Sequence, residues 1–310
     1  MWKAGYAGSN ELWLSTRLLA ASVYTRRHAT NDYWIHSPKE LALDDNDFHI
    51  GCRINHGKDP SMTHQRGSSA NDRWNSGKPS VLIFDVNETL IDFESMHPLF
   101  ERVFNDKRVL REWLGHLIMY SMTITLSGLY KNYWDLGQGL FRMVGTIHGV
   151  QIKDADVEAL KKGMMTMPAH RDAADGLKML KEAGFRMVTL TNSPPTPGSK
   201  SPLENAGLDV FFERQFNIET ARAYKPAQVV YHMVAQELDV PPQDCCLVAT
   251  HVWDTIGAQS AGMAGGLLTR PGNALLPIEG LPQANLVAPD LPGLAQKMVA
   301  EWRPAMRKAS

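Results

Sequence analysis

The run SVLIFDV, residues 80–86, is apolar until it reaches Asp85, and it constrains the fold more than any other stretch. A short, continuous apolar run is the pattern of a strand buried on both faces of a parallel sheet. In sheets of that kind, ligands bind beyond the carboxyl ends of the strands. The run therefore predicts a buried strand and places an acidic side chain at the ligand-binding edge of its sheet.

Further along the chain, helix-like and strand-like segments alternate. The helical patterns are separated by four strand-like runs, FRMVTLTNS, RQFNIET, CCLVAT and AGGLLTR, within residues 185–270. Such alternation implies right-handed crossovers between parallel strands. The predicted fold class is α/β, a doubly wound parallel sheet of Rossmann type.

Between the first strand and this alternation, the apolar spacing is helical. We predict a helical cap over residues 95–166, inserted into a core made of residues 79–94 and 167–310. Residues 1–78 lack sustained periodicity and close with a Gly-, Ser- and Asn-rich stretch. They predict a poorly ordered N-terminal extension.

Composition excludes several classes of function. The chain has 310 residues, 44% of them apolar and 21% charged, with a formal net charge of −1. This balance argues against a nucleic-acid or anionic-membrane partner, and no apolar run reaches the length of roughly 18 residues that spans a bilayer. Cys52, Cys245 and Cys246 form no spaced framework, and the last two predict core thiols in a reducing compartment. We expect a cytoplasmic protein.

Polar side chains that could do chemistry follow several of the predicted strands. Each residue type is ordinary at a turn when taken alone, but together they converge on one edge of the predicted sheet. The set comprises Asp85, Thr191, Asn192, Lys225, His251 and Asp254.

These segments resemble the motifs of the haloacid dehalogenase superfamily. DVNETL is similar to its nucleophile loop, LTN to its second motif, YKP to its third, and ATHVWDTIGAQSAGM to its fourth. The resemblance covers roughly residues 79–300. It implies a Rossmann-like core with an inserted helical cap and an aspartate nucleophile, Asp85.

Asn87 and Thr250 decide between the activities of the superfamily. A phosphatase of this type carries an acid two residues after the nucleophile, and the amide of Asn87 has no titratable proton for a leaving alcohol. A phosphatase also holds Mg²⁺ through carboxylates, and Thr250 offers only a hydroxyl. A halide leaves as an anion and needs neither group. The L-2-haloacid dehalogenase subgroup is therefore the best resemblance, with an Mg²⁺-dependent phosphatase or a catalytically idle binding protein as alternatives.

The resemblance implies cleavage of short (S)-2-haloalkanoic acids to 2-hydroxy acids through an ester on Asp85, without metal or organic cofactor. It assigns Lys225 as the cation that keeps the nucleophile ionised, and Thr89 as a hydrogen-bond donor to it. Thr191 and the Asn192 backbone would hold the substrate carboxylate. Asp254 would orient Lys225 or the hydrolytic water. Homodimers are frequent in the family.

His251 and Glu88 suggest how the ester is opened. A histidine oriented by a carboxylate can take a proton from water near neutral pH. We hypothesise that Glu88 and His251 activate the water. The alternative is that His251 bonds to backbone while Glu88 caps the following turn.

The halide site has several candidates. Arg111, in the early cap, is one, although its periodicity also fits a solvated helix residue. The amide of Asn87 and the indole of Trp253 could form the halide cradle instead. Tyr231 either lines the pocket or packs in the core.

Overall fold

The computed structural model describes residues 78–194 and 198–303, which contain one parallel sheet and the helices around it. The strands are β1 (Val81–Phe84), β2 (Arg186–Thr191), β3 (Arg214–Asn217), β4 (Cys245–Ala249), β5 (Ala264–Leu268) and β6 (Leu286–Ala288). The helices are α1 (His97–Phe104), α2 (Val109–Leu126), α3 (Tyr133–Ile147), α4 (Asp154–Thr166), α5 (Ala173–Glu182), α6 (Pro202–Asn205), α7 (Gln228–Glu237), α8 (Val252–Ser260) and α9 (Leu291–Trp302).

The sheet order is β3-β2-β1-β4-β5-β6, and every neighbouring pair is parallel. All four residues of β1 are buried, as the apolar run predicts. The chain winds outward from β1 on one side and then returns to the other side through β4. The order therefore reverses between β1 and β4, where such sheets bind ligands. The predicted α/β, doubly wound fold class is confirmed.

Local structure differs from the sequence predictions in three places. The helical pattern of residues 97–126 is divided into α1 and α2 by Asn105, whose φ of 56° is left-handed. The pattern PLENAGLDVFF gives only the short α6, because Gly207 at φ 69° turns the chain before a 3-10 turn at Asp209–Phe211. Strand β6 was not predicted, because it has three residues and no distinctive apolar run.

Helices α1 to α4 form a segment, hereafter the helical insert (residues 97–166), between β1 and β2. Its core is aromatic: the ring of Phe100 lies 5.7 Å from that of Trp113 and 5.5 Å from that of Phe141. The insert occupies the residues in which the sequence predicts a cap.

Gly257 shows how tightly α8 approaches the loop before α7. A Cβ atom at this position would lie 2.5 Å from Cβ of Pro226 and 2.7 Å from the hydroxyl of Tyr231. Contacts this short are sterically forbidden, so the absence of a side chain lets α8 pack directly against the Lys225–Pro226 segment. Glycine here brings two functional segments together.

The two adjacent cysteines, Cys245 and Cys246, are buried in β4, and burial raises the pKa of the Cys245 thiol to about 12. Cys52 and the predicted N-terminal extension, except its last residue, lie outside the described residues. Within the described ranges, no helix combines the length and the apolar character needed to cross a membrane.

Candidate active site

Asp85 directly follows β1, and its backbone N–H bonds to the carbonyl of Val248 in the neighbouring strand, at 2.9 Å. Two donors hold its carboxylate. The hydroxyl of Thr89 donates to Oδ2 at 2.7 Å, and the ammonium of Lys225 donates to Oδ1 at 2.9 Å. The Asp85 side chain keeps 10% of its surface exposed, and it lines a cavity. A carboxylate that is fixed and yet accessible is suited to nucleophilic attack.

Lys225 is fully buried between two carboxylates. Its Nζ atom donates to Asp85 and, at 2.8 Å, to Oδ2 of Asp254. Burial lowers the pKa of Lys225, but the charges and hydrogen bonds of Asp254 and Asp85 outweigh it, so its pKa is raised. The side chain therefore stays an ammonium, as a counter-charge to the nucleophile requires.

Asp254, in the first turn of α8, completes this buried chain of charges. Its second oxygen, Oδ1, accepts a hydrogen bond of 2.5 Å from the hydroxyl of Tyr231. Burial raises the pKa of the Asp254 carboxyl, against the opposing effect of Lys225. Burial and the neighbouring charge of Asp254 raise the pKa of Tyr231, which stays protonated as a donor. Tyr231 is thus a partner of Asp254 in the core and is not among the residues lining the cavity over Asp85.

The loop after Asp85 is anchored on both sides. The Thr89 hydroxyl accepts a 3.0 Å bond from the backbone N–H of Thr250. The Thr89 carbonyl accepts two bonds from the guanidinium of Arg270, which also pairs with Asp172 at 2.9 Å. Arg270 is buried, and it was not among the predicted site residues. The only sequence signal for it is its position two residues after β5.

Glu88 projects from the same loop with a left-handed φ of 64°. Its Oε2 atom lies 2.7 Å from Nε2 of His251, and its Oε1 atom pairs with the guanidinium of Arg111. Burial raises the pKa of Glu88, but His251 and Arg111 outweigh burial and hold it below its usual value. Glu88 is thus an ionised carboxylate shared by two basic side chains.

His251 occupies the N-cap position of α8, but its side chain makes no capping hydrogen bond. Its ring stacks on that of Trp253 at a centroid distance of 5.2 Å and lines the cavity over Asp85. Its Nε2 atom thus lies within ion-pair distance of the Glu88 carboxylate, without a hydrogen bond of regular geometry to Oε2. The activation of water by this pair stays a prediction.

Arg111 belongs to α2 of the helical insert, but it does not line the cavity over Asp85. Besides Glu88, its guanidinium contacts Oε1 of Glu94 at 3.1 Å and the carbonyl of Pro271 at 3.3 Å. Its Nη1 and Nη2 atoms donate to these oxygens. Arg111, a candidate halide-binding residue in the sequence analysis, therefore contacts Glu88 and does not line the cavity.

The floor of the cavity is formed by residues at or just beyond the strand ends, including the first turn of α8: Asn87, Thr191, Asn192 and Trp253 join Asp85 and His251 there. The Asn192 side-chain oxygen accepts the backbone N–H of Lys225 at 3.1 Å, which ties the second and third motifs together. The indole N–H of Trp253 is buried, with no hydrogen-bond acceptor among the described residues. An unmatched buried donor is unfavourable, and this one belongs to a residue that lines the cavity over Asp85.

The opposite wall comes from the helical insert, through Leu114, Ile118, Ser121 and Tyr133. Tyr133, the first residue of α3, is buried, and its phenol lies beside the side chains of Ser193 and Asn87. Burial raises the pKa of this phenol. The sequence analysis did not select Tyr133 or Ser193; the only signal for Tyr133 is its position after Asn132, the N-cap of α3.

A magnesium ion of the kind that phosphatases use does not fit this site. The Thr250 hydroxyl donates to the carbonyl of Leu268 at 2.8 Å, and the Asn87 amide donates to the Ser193 hydroxyl at 2.9 Å. Asp254 already binds two donors. Among the described residues, no group of three or more His, Cys, Asp or Glu side chains could hold a metal. We therefore derive no step through a metal.

Known proteins resemble this chain in both sequence and fold. A family model described as haloacid dehalogenase-like hydrolase matches residues 79–262. An (S)-2-haloacid dehalogenase of Pseudomonas fluorescens is 23% identical over 206 residues, which cover 64% of this chain and 88% of that relative. The (S)-2-haloacid dehalogenase 4A of Burkholderia cepacia is 25% identical over 193 residues, covering 62% and 83%.

Among solved structures, the L-2-haloacid dehalogenase of Xanthobacter autotrophicus with chloropropionic acid covalently bound shares the fold. The TM-score is 0.64 at 19% identity, over 75% of this chain and 100% of that one.

Proposed function

Because this chain belongs to the haloacid dehalogenase-like hydrolase family, we propose that it hydrolyses the carbon–halogen bond of short (S)-2-haloalkanoic acids. Asp85 is the nucleophile, and the product is a 2-hydroxy acid. The (S)-2-haloacid dehalogenase names of its relatives agree with this reaction.

One observation carries the proposal: a fixed, accessible carboxylate stands beside an amide where a proton donor would be needed for an alcohol leaving group. Asn87 bonds through its amide to Ser193 and can transfer no proton. Phosphoester cleavage needs general acid catalysis for its alcohol, whereas halide departure does not. The site therefore favours a leaving group that departs as an anion.

In the first step, a carboxylate oxygen of Asp85 attacks C2 of the substrate from the side opposite the halogen. A C–O bond forms, the C–X bond breaks, and the halide leaves with the bonding electrons. Configuration at C2 inverts. Thr191 and the Asn192 backbone hold the substrate carboxylate, which positions C2 for attack. Trp253, with its unmatched N–H, and the Asn87 amide form the halide cradle.

Charge balance explains why Asp254 accompanies Lys225. In the free site, one buried ammonium stands between two carboxylates. When Asp85 becomes a neutral ester, Asp254 still pairs with Lys225. The ammonium of Lys225 therefore keeps a partner throughout. A buried ammonium without a partner would be strongly unfavourable.

In the second step, water adds to the carbonyl carbon of the Asp85 ester while His251, oriented by Glu88, takes its proton. Lys225 and Thr89 each bind one carboxyl oxygen of Asp85, so whichever oxygen remains as the carbonyl has a donor for its developing negative charge. The ester C–O bond breaks, and the alkoxide receives the proton from His251. The second proton of the water leaves to solvent as the carboxylate re-forms.

The helical insert acts as the cap in this proposal. Leu114, Ile118 and Tyr133 close the cavity over Asp85 with largely apolar surface. Exclusion of bulk water strengthens the electrostatic contacts around the nucleophile.

The test is halide release from each enantiomer of 2-chloropropionate, with and without EDTA. We expect release from the (S) enantiomer, unaffected by EDTA, and (R)-lactate as product. Asp85→Asn abolishes it. Asp92→Asn, which changes a carboxylate outside the cavity lining, is the matched control and retains activity. Mg²⁺-dependent release of phosphate from p-nitrophenyl phosphate without halide release would instead establish a phosphatase.

A further inference from the structure

A second cavity adjoins the one over Asp85. Its volume is about 200 Å³, against about 30 Å³ over the nucleophile. Both cavities are lined by Asn87 and Tyr133, and Ser193, which accepts a hydrogen bond from Asn87, lines the larger one. These three residues, hereafter the partition, separate the two spaces.

A hydrogen bond and packing hold the partition together. The Asn87 amide donates to the Ser193 hydroxyl at 2.9 Å, and the phenol of Tyr133 lies beside both residues. The ring of Tyr133 supplies most of the bulk, and it also packs against the ring of Tyr224 at 6.2 Å. The partition is therefore a packed and bonded wall, with an aromatic ring as its thickest part.

The larger cavity is suited to an apolar group. Trp134, Met164, Met165 and Pro202 line it, and the ammonium of Lys161 lies 5.8 Å from the centre of the Trp134 ring. Methionine adapts its shape to flexible ligands, and burial of alkyl carbon against such surface is favourable. The space could accept an alkyl chain of several carbons, but the partition stands between it and the nucleophile.

Building on the dehalogenase function proposed above, we infer that Tyr133 determines the chain length of the substrate. Its ring confines the C2 substituent to the small cavity over Asp85, where a chain longer than methyl meets the partition. A smaller side chain at position 133 joins the two cavities and admits 2-haloacids with longer alkyl groups. The 200 Å³ cavity becomes the alkyl subsite.

The experiment compares kcat/KM for 2-bromopropionate and 2-bromohexanoate in Tyr133→Leu and Tyr133→Ala. Because each methylene contributes about tenfold or more to discrimination in an apolar pocket, we expect the hexanoate-to-propionate ratio to rise at least about tenfold. Leucine keeps apolar volume in the wall and so protects folding, which circular dichroism checks.

Three further variants separate the ring from other effects. Tyr133→Phe keeps the ring and loses only its hydroxyl, so it should leave the ratio unchanged. Tyr130→Leu is the matched control, since Tyr130 stacks on Tyr224 at 5.9 Å and lines neither cavity. Tyr133→Leu combined with Met164→Trp fills the larger cavity and should return the ratio to its original value.

The outcomes distinguish this inference from the proposed function. If the unaltered protein releases no halide from either acid, the function itself fails. If it dehalogenates 2-bromopropionate but Tyr133→Leu and Tyr133→Ala show no change in the ratio, the assignment of Tyr133 is overturned. A gain that survives Met164→Trp would overturn the larger cavity as the alkyl subsite.

Discussion

The Nε2 atom of His251 lies 2.7 Å from Oε2 of Glu88, which joins the fourth motif of the core to the nucleophile loop. The His251 ring also faces the cavity over Asp85. In this arrangement a carboxylate holds the imidazole in place beside the position where an ester would be hydrolysed. Glu88 itself is held by Arg111 on its other oxygen.

Replacement of His251 by alanine should separate the two chemical steps. Without the base, we expect halide release to stop after about one equivalent, with steady-state turnover reduced by about 10²- to 10⁴-fold. Intact-mass measurement after incubation with 2-chloropropionate should show the ester adduct on the protein. His232→Ala, which alters an exposed histidine of α7, is the control. Full turnover by His251→Ala without an adduct would exclude His251 as the base.

The Glu88 contact should appear in the pH dependence of stability. His251 and Arg111 hold the pKa of Glu88 below its usual value, so its ionised form stabilises the folded state. This contribution is fully present above the unfolded pKa of about 4.3 and is lost as the pH falls through the lower folded value. The difference in unfolding free energy between the unaltered protein and Glu88→Gln should therefore shrink as the pH falls below about pH 4.

Urea unfolding between about pH 3 and pH 7 measures this difference. Glu182→Gln reports the effect of removing an exposed carboxylate. A Glu88→Gln difference that does not shrink in acid would contradict the role of Glu88 as an ionised partner.

Removal of the buried ammonium should impair both folding and activity. Lys225→Met leaves Asp85 and Asp254 buried without their shared cation, and breaking a buried ion pair in this way costs about 3–5 kcal/mol of unfolding free energy. Halide release should fall below detection. Lys178→Met, at an exposed pair with Glu182, is the matched control and should change stability by less than about 0.5 kcal/mol. Retained activity in Lys225→Met would argue against its role as counter-charge.

Replacement of Arg270 should lower the unfolding free energy more than replacement of an arginine that pairs with a carboxylate on the surface. Arg270→Met leaves the Thr89 carbonyl and Asp172 without their buried donor, and we expect a loss of about 3–5 kcal/mol together with reduced kcat. Arg186→Met removes a half-exposed pair with Glu213 and should cost less than about 1 kcal/mol. Thermal and urea unfolding of both variants give the comparison. Equal losses would show that the loop does not depend on Arg270.

Much of the fold could be predicted from the sequence because its signals are local. The continuous apolar run of β1 and the alternation after residue 167 each reflect burial on both faces of a sheet. β6 lacked such a run and was missed. The break between α1 and α2 depends on one left-handed residue, Asn105, which an apolar pattern does not reveal.

The candidate site likewise contains some features that the sequence predicts and others that it does not. Residues at strand ends converge by topology alone, so Asp85 and His251 could be placed together before any coordinates. The contacts of Tyr231 and Arg111 could not be predicted in this way. Tyr231 bonds to Asp254 within the core, and Arg111 reaches Glu88 from a helix of the insert. The positions of these two residues in the sequence do not indicate which oxygen atoms their side chains contact.

By itself, the sequence determined the parallel sheet and the set of polar groups at its carboxyl edge, because apolar periodicity and strand order are properties of the chain. Only the tertiary structure decided which donors hold the carboxylate of Asp85, that Asn87 and Tyr133 line both cavities beside it, and that Arg270 anchors its loop. These depend on the angle at which the insert and distant loops pack against the sheet. That angle follows from the sum of many side-chain contacts, and no local sequence pattern predicts it.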